Sequence, residues 1–312
     1  MRRVRPALIC PLPITLPPFP GECESSYWNR LALANRVPLA RLRSPSHWLQ
    51  SRLTSLDVHC ILSGQSRQVL AKAIPDLRAN GVSPTTKTHA PTPDHVLRWA
   101  CRRCVAARTG SRLPAQVWAS VHDNVCIRHK LWIGKNVIAP ERQLDVSAGP
   151  DIVRAQNRYW RLRRRHGPAV TDICEDATAR LWRGLAQRHY RLSLRAELLN
   201  LARTMSTTDP DRAAPWLLAA GYPERVALIG LFASAPWRQL AASDDLLAFA
   251  DAMAEFDRRF PTKTPLRGTS RTWLGKTIAS SATHIEALLA DPKTSGRASQ
   301  PRRTNQEIAS RH

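Results

Sequence analysis

The sequence is poor in acidic residues. Its 312 residues include 24 Asp and Glu against 47 Lys and Arg, so the formal net charge is +23. A protein with this excess of positive charge is expected to have a polyanionic partner, and nucleic acid is the leading candidate. An Arg-rich codon bias spread over a solvated surface is the alternative, but bias alone does not cluster the charge.

Long apolar runs are also missing. No stretch of 18 consecutive apolar residues occurs, so we expect no membrane-spanning helix. Six prolines between Pro6 and Pro20 would interrupt the apolar segment of a signal peptide, and no small-residue cleavage site follows. The spacing of the seven cysteines shows no secreted disulfide framework. We therefore expect a cytoplasmic protein.

Two paired groups of metal-ligand residues stand near the middle of the chain. Cys101 and Cys104 form a C-x2-C pair, and after 21 residues Cys126 and His129 form a C-x2-H pair. Two-residue spacing lets both side chains of a pair reach one ion, and the gap allows a small hairpin or helix to return the second pair. Three sulfurs and an imidazole suit zinc, and four protein ligands leave no open position for catalysis.

The sequence therefore predicts a structural zinc finger over about residues 96–137. His122 is a competing ligand, but His129 is preferred because it repeats the two-residue spacing of the first pair. Apolar side chains around the ligands are expected to form a small core that the metal completes: Trp99, Val117, Trp118, Val121, Val125, Leu131 and Trp132.

The segment before the finger is predicted to be extended and then helical. Prolines exclude a helix over residues 6–20. A helix over Ser25–Asn35 is expected, with Ser25 or Ser26 as its N-cap and with Trp28, Leu31 and Leu33 facing inward. A short helix ends near Leu42. Two more helices within residues 54–78 meet around Ser63-Gly64, which is compatible with a helix-turn-helix, and residues 80–93 form a loop.

The rest of the chain is predicted to be helical. A length of 312 residues and 43% hydrophobic residues favour two domains with buried cores, and Asp145–Pro150 is a plausible boundary. We expect a mainly α protein with a zinc-stapled N-terminal domain over residues 1–145, a basic all-helical domain over 146–290 and a disordered tail over 291–312. The helices expected after the boundary span 151–166, 171–204, 211–220, 223–235, 243–258 and 269–290.

The first of these helices concentrates positive charge. After Asp151 it carries no acidic residue, so its arginines repel one another unless an anion neutralises them. Phosphate contact is the preferred interpretation, and a solvated face with Tyr159 and Trp160 packed on a neighbour is the alternative. The candidate nucleic-acid contacts are Arg154, Arg158, Arg161, Arg163, Arg164 and Arg165.

The order of these motifs resembles that of TniQ-family proteins. The lead-in LPITLPPFPGECESSYWNRLALANRVPLARL is similar to the family's opening, in which a Pro-rich strand and a Gly-Glu turn precede an S-[YW]-x-x-R-L helix. LSGQSRQVLAKAIPDLR resembles the segment that follows, and CRRC…VCIRHKLWIG resembles the family's zinc finger. The similarity covers about residues 11–138, and DVSAGPDIVRAQNRYWRLRRRHG is more loosely similar to the sequence after it.

The resemblance implies a non-enzymatic accessory protein of DNA transposition. Such a protein links a target site to an AAA+ ATPase regulator and a DDE transposase, with Cys101, Cys104, Cys126 and His129 as its zinc ligands. The chain lacks the second zinc-ligand set of relatives that have guide-RNA partners, and Cys23 follows the Gly-Glu turn where the family has a non-liganding residue. The alternatives are a stand-alone zinc-containing DNA-binding regulator and an adaptor whose basic helix docks on acidic protein.

Two segments imitate enzyme motifs. Residues 268–277 (GTSRTWLGKT) end like a phosphate-binding loop, but Ser270 stands where that motif needs glycine and no strand precedes it. His122-Asp123-Asn124 imitates part of an HNH nuclease, but it lies within the predicted finger. We therefore expect no enzymatic activity.

Overall fold

The computed structural model describes residues 10–43, 53–78, 94–187, 210–260 and 269–290. Within these ranges the protein is mainly helical, with twelve α-helices and little strand. The chain divides into two compact units, Met1–Leu144 and Asp145–His312, called here the N-terminal and C-terminal units. The loop expected over 80–93 and the tail expected over 291–312 lie outside the described residues.

Among the described residues of the N-terminal unit, four α-helices precede the segment that contains the predicted zinc finger, residues 95–144, called here the finger segment. α1 begins one residue before the predicted start, and the backbone turns into the left-handed region at Arg36 (φ +55°) after its last residue. Trp28 and Leu31 are buried as predicted, but Leu33 is 62% exposed and points away from this core. The helices are α1 (Glu24–Asn35), α2 (Leu39–Arg43), α3 (Ser55–Ser63) and α4 (Arg67–Ala73).

α3 and α4 confirm the predicted pair of helices around Ser63-Gly64. Thr54 and Asp57 form a reciprocal capping box at the start of α3, and Gly64 ends the helix at φ +66°. Hydrogen bonds from Thr54 and from Arg67 of α4 lower the pKa of the Asp57 carboxyl to about 2. The two helices are thus joined through one carboxylate.

The finger segment combines a helix with short antiparallel strands. β1 (His95–Trp99) pairs with β2 (Gln116–Ser120), and α5 (Arg102–Thr109) lies between them in sequence. A second, three-stranded sheet has the order β3 (Val125–Cys126), β4 (Leu131–Trp132), β5 (Leu144–Asp145). α5 therefore begins at the first ligand pair, and the β3–β4 hairpin carries the second pair.

A buried carboxylate organises the start of the N-terminal unit. Glu22 is fully buried and accepts hydrogen bonds from the Phe19 amide (2.9 Å), the Ser26 hydroxyl (3.0 Å) and Arg30 Nη1 (2.7 Å). Burial raises the pKa of Glu22, and the Arg30 guanidinium opposes that shift. The Ser26 hydroxyl therefore bonds to Glu22 and does not cap α1, whose N-cap residue is Cys23.

The same turn attaches the helices to the finger segment. The Trp118 amide donates to the Gly21 carbonyl (2.8 Å), and the Cys23 amide donates to the Gln116 carbonyl (3.0 Å). Asp76 accepts from the Glu24 amide (2.8 Å) and from Trp118 Nε1 (2.9 Å). Residues from the lead-in, α1 and β2 consequently share one hydrogen-bonded junction.

The C-terminal unit contains seven helices among its described residues. α6 starts at Pro150 and ends before Gly167 (φ +81°), as predicted. The predicted helix over 223–235 is present but ends at Phe232, because the chain turns at Ala233–Ser234. A further helix that was not predicted then begins at Ala235, with Pro236 in its first turn. The helices are α6 (Pro150–His166), α7 (Pro168–Gln187), α8 (Pro210–Ala220), α9 (Tyr222–Phe232), α10 (Ala235–Ala241), α11 (Leu246–Arg259) and α12 (Thr269–Ala290).

The core of this unit is helix against helix. α9 packs on both α6 and α7, and α12 packs on α7 and α10. Gly221 fits closely against Trp182, since a Cβ on Gly221 would lie 2.6 Å from the Trp182 ring. The helix expected over 171–204 is described from Pro168 to Gln187, and its predicted last part lies outside the described residues.

Replacing Arg30 with Met should destabilise the N-terminal unit by about 3–5 kcal/mol at pH 7, because Glu22 becomes a buried charge without a partner. Without Arg30 the folded-state pKa of Glu22 rises further above its unfolded value. The loss should therefore shrink as the pH falls and Glu22 takes up a proton. Urea denaturation at pH 7 and pH 5 measures both effects.

Two controls accompany this measurement. Arg41→Met, at an exposed position of α2, should change stability by no more than about 0.5 kcal/mol. The double variant Glu22→Gln, Arg30→Met should recover part of the loss, because it leaves no unpaired charge. An Arg30→Met protein as stable as the Arg41→Met control would contradict the organising role of this pair.

Candidate metal centre and basic helix

The structure brings the four predicted ligand residues together. One ligand atom from each of Cys101, Cys104, Cys126 and His129 lies within 4.8 Å of all the others, so the group could hold a metal ion. The Nδ1 atom of His129 is 3.5 Å, 3.2 Å and 3.7 Å from the sulfurs of Cys101, Cys104 and Cys126, and the last two sulfurs are 3.7 Å apart.

Three of these four distances fit the edges of a tetrahedron around one ion, and the distance between Cys104 and His129 is slightly shorter. Metal–sulfur bonds of about 2.3 Å and metal–nitrogen bonds of about 2.0–2.1 Å require edges of about 3.5–3.8 Å between the ligand atoms. The four side chains are also held from two separate parts of the fold. Cys101 precedes α5 and Cys104 lies in its first turn, whereas Cys126 ends β3 and His129 lies in the turn before β4.

Backbone amides support the sulfurs of both ligand pairs. The Cys104 amide hydrogen-bonds to the Cys101 sulfur, and the His129 amide hydrogen-bonds to the Cys126 sulfur. The first pair also lies at the start of α5, where the partial positive charge of a helix N-terminus stabilises thiolates. The chain leaves the second pair through Lys130, whose φ of +51° turns it toward β4.

The pKa values of the three thiols are shifted in different directions. A hydrogen bond with Cys126, together with burial, raises the pKa of the Cys101 thiol, and burial raises that of Cys104. The hydrogen bond from Cys101 lowers the pKa of Cys126 to about 4. Three thiolates cannot form this close together without a cation, so a metal ion would take the place of the remaining protons.

Gln143 holds the backbone on both sides of Cys101. Its side chain is buried; Oε1 accepts from the Arg102 amide (3.0 Å) and Nε2 donates to the Ala100 carbonyl (2.7 Å). Gln143 was not among the predicted site residues. No local pattern could have identified it, because it lies 42 positions after the ligand that it supports.

The alternative ligand His122 and the other residues of the nuclease-like triplet do not belong to the four-residue ligand cluster. His122 is buried, but the cluster of cysteines includes His129 and not His122. Asn124 joins the β3–β4 hairpin: its carbonyl accepts from the Ile133 amide (2.9 Å), and its side chain covers Gly134 so closely that a Cβ there would lie 2.1 Å from Oδ1. The core expected around the ligands is largely present, but Val121 is 37% exposed.

The arginines of α6 do not share one face. Arg154, Arg158, Arg161 and Arg165 follow the spacing i, i+4, i+7, i+11, which places them along one ridge of the helix. We call these four residues the α6 ridge. Arg154, Arg161 and Arg165 are exposed, and Arg158 is half-buried. Arg164 is exposed beside the ridge.

Two of the six arginines are engaged within the C-terminal unit. Arg163 lies on the opposite side from the ridge and forms an ion pair with Asp172 of α7, so an acid from another helix neutralises it. The half-buried Arg158 lies against α9, where a Cβ on Gly230 would be 3.3 Å from its Nη2 atom. Burial, with Arg259 and Arg161 nearby, lowers the pKa of Arg158.

The phosphate-loop imitation is part of a helix. Thr269–Ala290 forms α12, and Gly275 within it packs against α11, since a Cβ there would be 3.1 Å from the Phe249 ring. Its glycine therefore serves helix packing. Across the described residues, no helix has both the length and the apolar character needed to cross a bilayer.

Replacing Cys104 with Ser should remove the bound metal and unfold the finger segment, because the binding energy of a four-ligand site is folding energy. Metal analysis should give about one ion per wild-type chain and much less for the variant. Cys60→Ser, at a half-buried cysteine of α3 outside the cluster, is the matched control. A Cys104→Ser protein that keeps its full metal content would refute the ligand assignment.

Replacing Gln143 with Ala should weaken metal binding about 10–100-fold, although it removes no ligand. The Ala100 carbonyl and the Arg102 amide lose their partner, and the backbone that holds Cys101 becomes less defined. Competition with a chelator measures the change. Glu141→Ala, at a nearby exposed position, should bind metal like wild type; equal affinities for all three proteins would exclude the supporting role.

No protein-family model matches the sequence, and neither curated proteins nor solved structures give a match. The resemblance to TniQ proteins therefore depends on the motifs and their order alone. What the structure shows is a four-residue cluster that could hold a metal ion, within a mainly helical protein.

Proposed function

We propose that the protein is a TniQ-like, non-enzymatic accessory factor of DNA transposition that binds duplex DNA in the cytoplasm. It would connect a target site to an AAA+ ATPase regulator and, through it, to a DDE transposase. Zinc would occupy the Cys101, Cys104, Cys126 and His129 cluster and stabilise the N-terminal unit.

The donor set supports zinc as the metal. Three sulfurs and one imidazole nitrogen at tetrahedral spacing are typical of structural zinc sites, whereas calcium and magnesium prefer oxygen ligands. With four protein ligands the ion has no open position for water or substrate. Zinc at this site would therefore stabilise the fold and would not take part in a reaction.

The observation that carries the DNA-binding proposal is the α6 ridge. Its four arginines extend over 12 residues, about 16 Å along the helix, which corresponds to about five base pairs of duplex. Burial is the main cause that lowers the pKa of Arg158, and the nearby Arg259 and Arg161 lower it further. Phosphate would relieve the repulsion among these arginines. Arg side chains also pair with phosphate through two parallel hydrogen bonds.

The structural roles of the motif residues support the transposition proposal. In the segment that resembles the TniQ opening, Glu22, Ser26 and Arg30 form the buried junction, and the Tyr27 hydroxyl donates to the Leu16 carbonyl (2.8 Å). The resemblance therefore includes residues that hold the lead-in, α1 and the finger segment together. A chance match of surface residues would not have this property.

A stand-alone zinc-containing DNA-binding regulator remains the second candidate, because the α6 ridge would serve it equally well. The two differ in their partners. Adjacent genes for an integrase-core transposase and an AAA+ ATPase, and direct binding to that ATPase in pull-down experiments, would support the accessory factor. DNA binding without any such neighbour or interaction would support the regulator.

The Arg161→Ala, Arg165→Ala variant should weaken DNA binding and reduce the salt dependence. In a plot of log affinity against log salt, the slope should fall by about 2, because each lost phosphate contact removes about 0.9. Arg180→Ala, Arg183→Ala removes the same charge from exposed positions of α7 and should keep a steeper slope. Fluorescence anisotropy with a labelled duplex of mixed sequence measures all three proteins.

Two outcomes would overturn this assignment. If wild-type protein binds duplex DNA only in the millimolar range at low salt, the DNA-binding function is wrong. If the α6 and α7 variants lose the same slope, the protein responds to net charge alone and the α6 ridge is not the contact surface.

A further inference from the structure

The finger segment has a charge imbalance of its own. Between His95 and Pro140 the chain has eight Arg and Lys residues and one acidic residue, Asp123. Seven of the eight are exposed, whereas Arg98 is half-buried and donates to the Asp123 carbonyl (2.7 Å). The exposed ones are Arg102, Arg103, Arg108, Arg112, Arg128, Lys130 and Lys135.

Three of these cations adjoin the ligand residue His129. Arg128 and Lys130 flank the ligand residue His129 in the turn between β3 and β4, and both side chains are exposed. Arg103, from the first turn of α5, reaches the same turn and donates from Nη1 to the His129 carbonyl (3.2 Å). We call Arg103, Arg128 and Lys130 the finger-tip cations.

The position of these cations depends on the metal ligands. His129 contributes Nδ1 to the cluster while its carbonyl holds Arg103, and Cys104, the neighbour of Arg103, contributes a sulfur. A bound ion would therefore fix both the turn that carries Arg128 and Lys130 and the helix start that carries Arg103.

Local charge remains positive after a metal binds. A divalent ion with three thiolates and a neutral imidazole has a net charge of −1, against two positive charges from Arg128 and Lys130 alone. Among the described residues, Arg128 and Lys130 form no ion pair or hydrogen bond of their side chains. The tip thus presents uncompensated positive charge on a turn that the metal holds in place.

We propose that the finger-tip cations form a second DNA-phosphate site, in the N-terminal unit, that depends on the bound metal. The proposal rests on the DNA-binding function proposed above and adds a contact surface separate from the α6 ridge. Arg103 is oriented in advance by the His129 carbonyl, so it loses less side-chain entropy on binding phosphate. Phosphate is the preferred anion because the exposed Arg128 guanidinium can pair with it through two parallel hydrogen bonds.

The test uses the full-length, metal-loaded chain and a labelled duplex of mixed sequence. Arg128→Ala, Lys130→Ala should lower the salt slope of DNA binding by about 2 while the metal content stays at one ion per chain. Arg41→Ala, Lys276→Ala removes the same two residue types from exposed positions of α2 and α12 and should retain the wild-type slope to within about 0.5. Chelation of the metal from wild type should lower the slope as the alanine pair does.

A second pair of substitutions is used if the alanine pair disrupts the fold. If the alanine pair no longer binds metal, Arg128→Gln, Lys130→Gln keeps side chains of similar reach without charge and should show the reduced slope. Polyglutamate binding, measured in parallel, separates DNA from acidic protein. An unchanged DNA slope, with or without loss of polyglutamate binding, overturns the proposal.

The experiment separates failure of the second site from failure of the proposed DNA-binding function. If the α6 variant loses slope and the finger-tip variant does not, DNA binding stands and the second site is wrong. If wild type shows no salt-dependent binding to duplex DNA, the proposed function itself fails, and the second site fails with it.

Discussion

The N-terminal unit depends on the burial of one carboxylate. Glu22 lies in the interior, where an unpaired charge is costly, so its surroundings must supply hydrogen-bond donors. Those donors come from the backbone before it and from α1, at Phe19, Ser26 and Arg30. The same turn pairs with β2, and the position of the finger segment relative to α1 is set at this junction.

The metal cluster is the second constraint, and it acts on parts of the chain that have little secondary structure. β3 and β4 have two residues each, too few to hold a turn by hydrogen bonds alone. Four ligands on one ion, with Gln143 hydrogen-bonded to the backbone on both sides of Cys101, would supply the restraint that strands this short lack. The basic side chains around His129 would take their arrangement from the same ion, which connects metal binding to any anion bound at the tip.

Local sequence information predicted the features that depend on local chemistry. The C-x2-C and C-x2-H spacing identified the ligand cluster, and Pro150 and Gly167 identified both ends of α6, because ligand reach and helix termination are short-range effects. The prediction that Leu33 faces inward is wrong, and the prediction for Arg163 did not include an acidic partner from another helix. Leu33 points to solvent and Arg163 pairs with Asp172, since the direction that a helix face takes depends on its neighbours.

The sequence alone determined the ligand types, the helical character and the excess of positive charge, since each is a property of residue identity and spacing. Only the tertiary structure decided which charges are available. It paired Arg30 with Glu22 and Arg163 with Asp172. It also left Arg158 half-buried and brought Arg103 to the His129 carbonyl. The reason is physical: a charge is neutralised or exposed by groups that are distant in sequence, and folding alone brings those groups within a few ångströms.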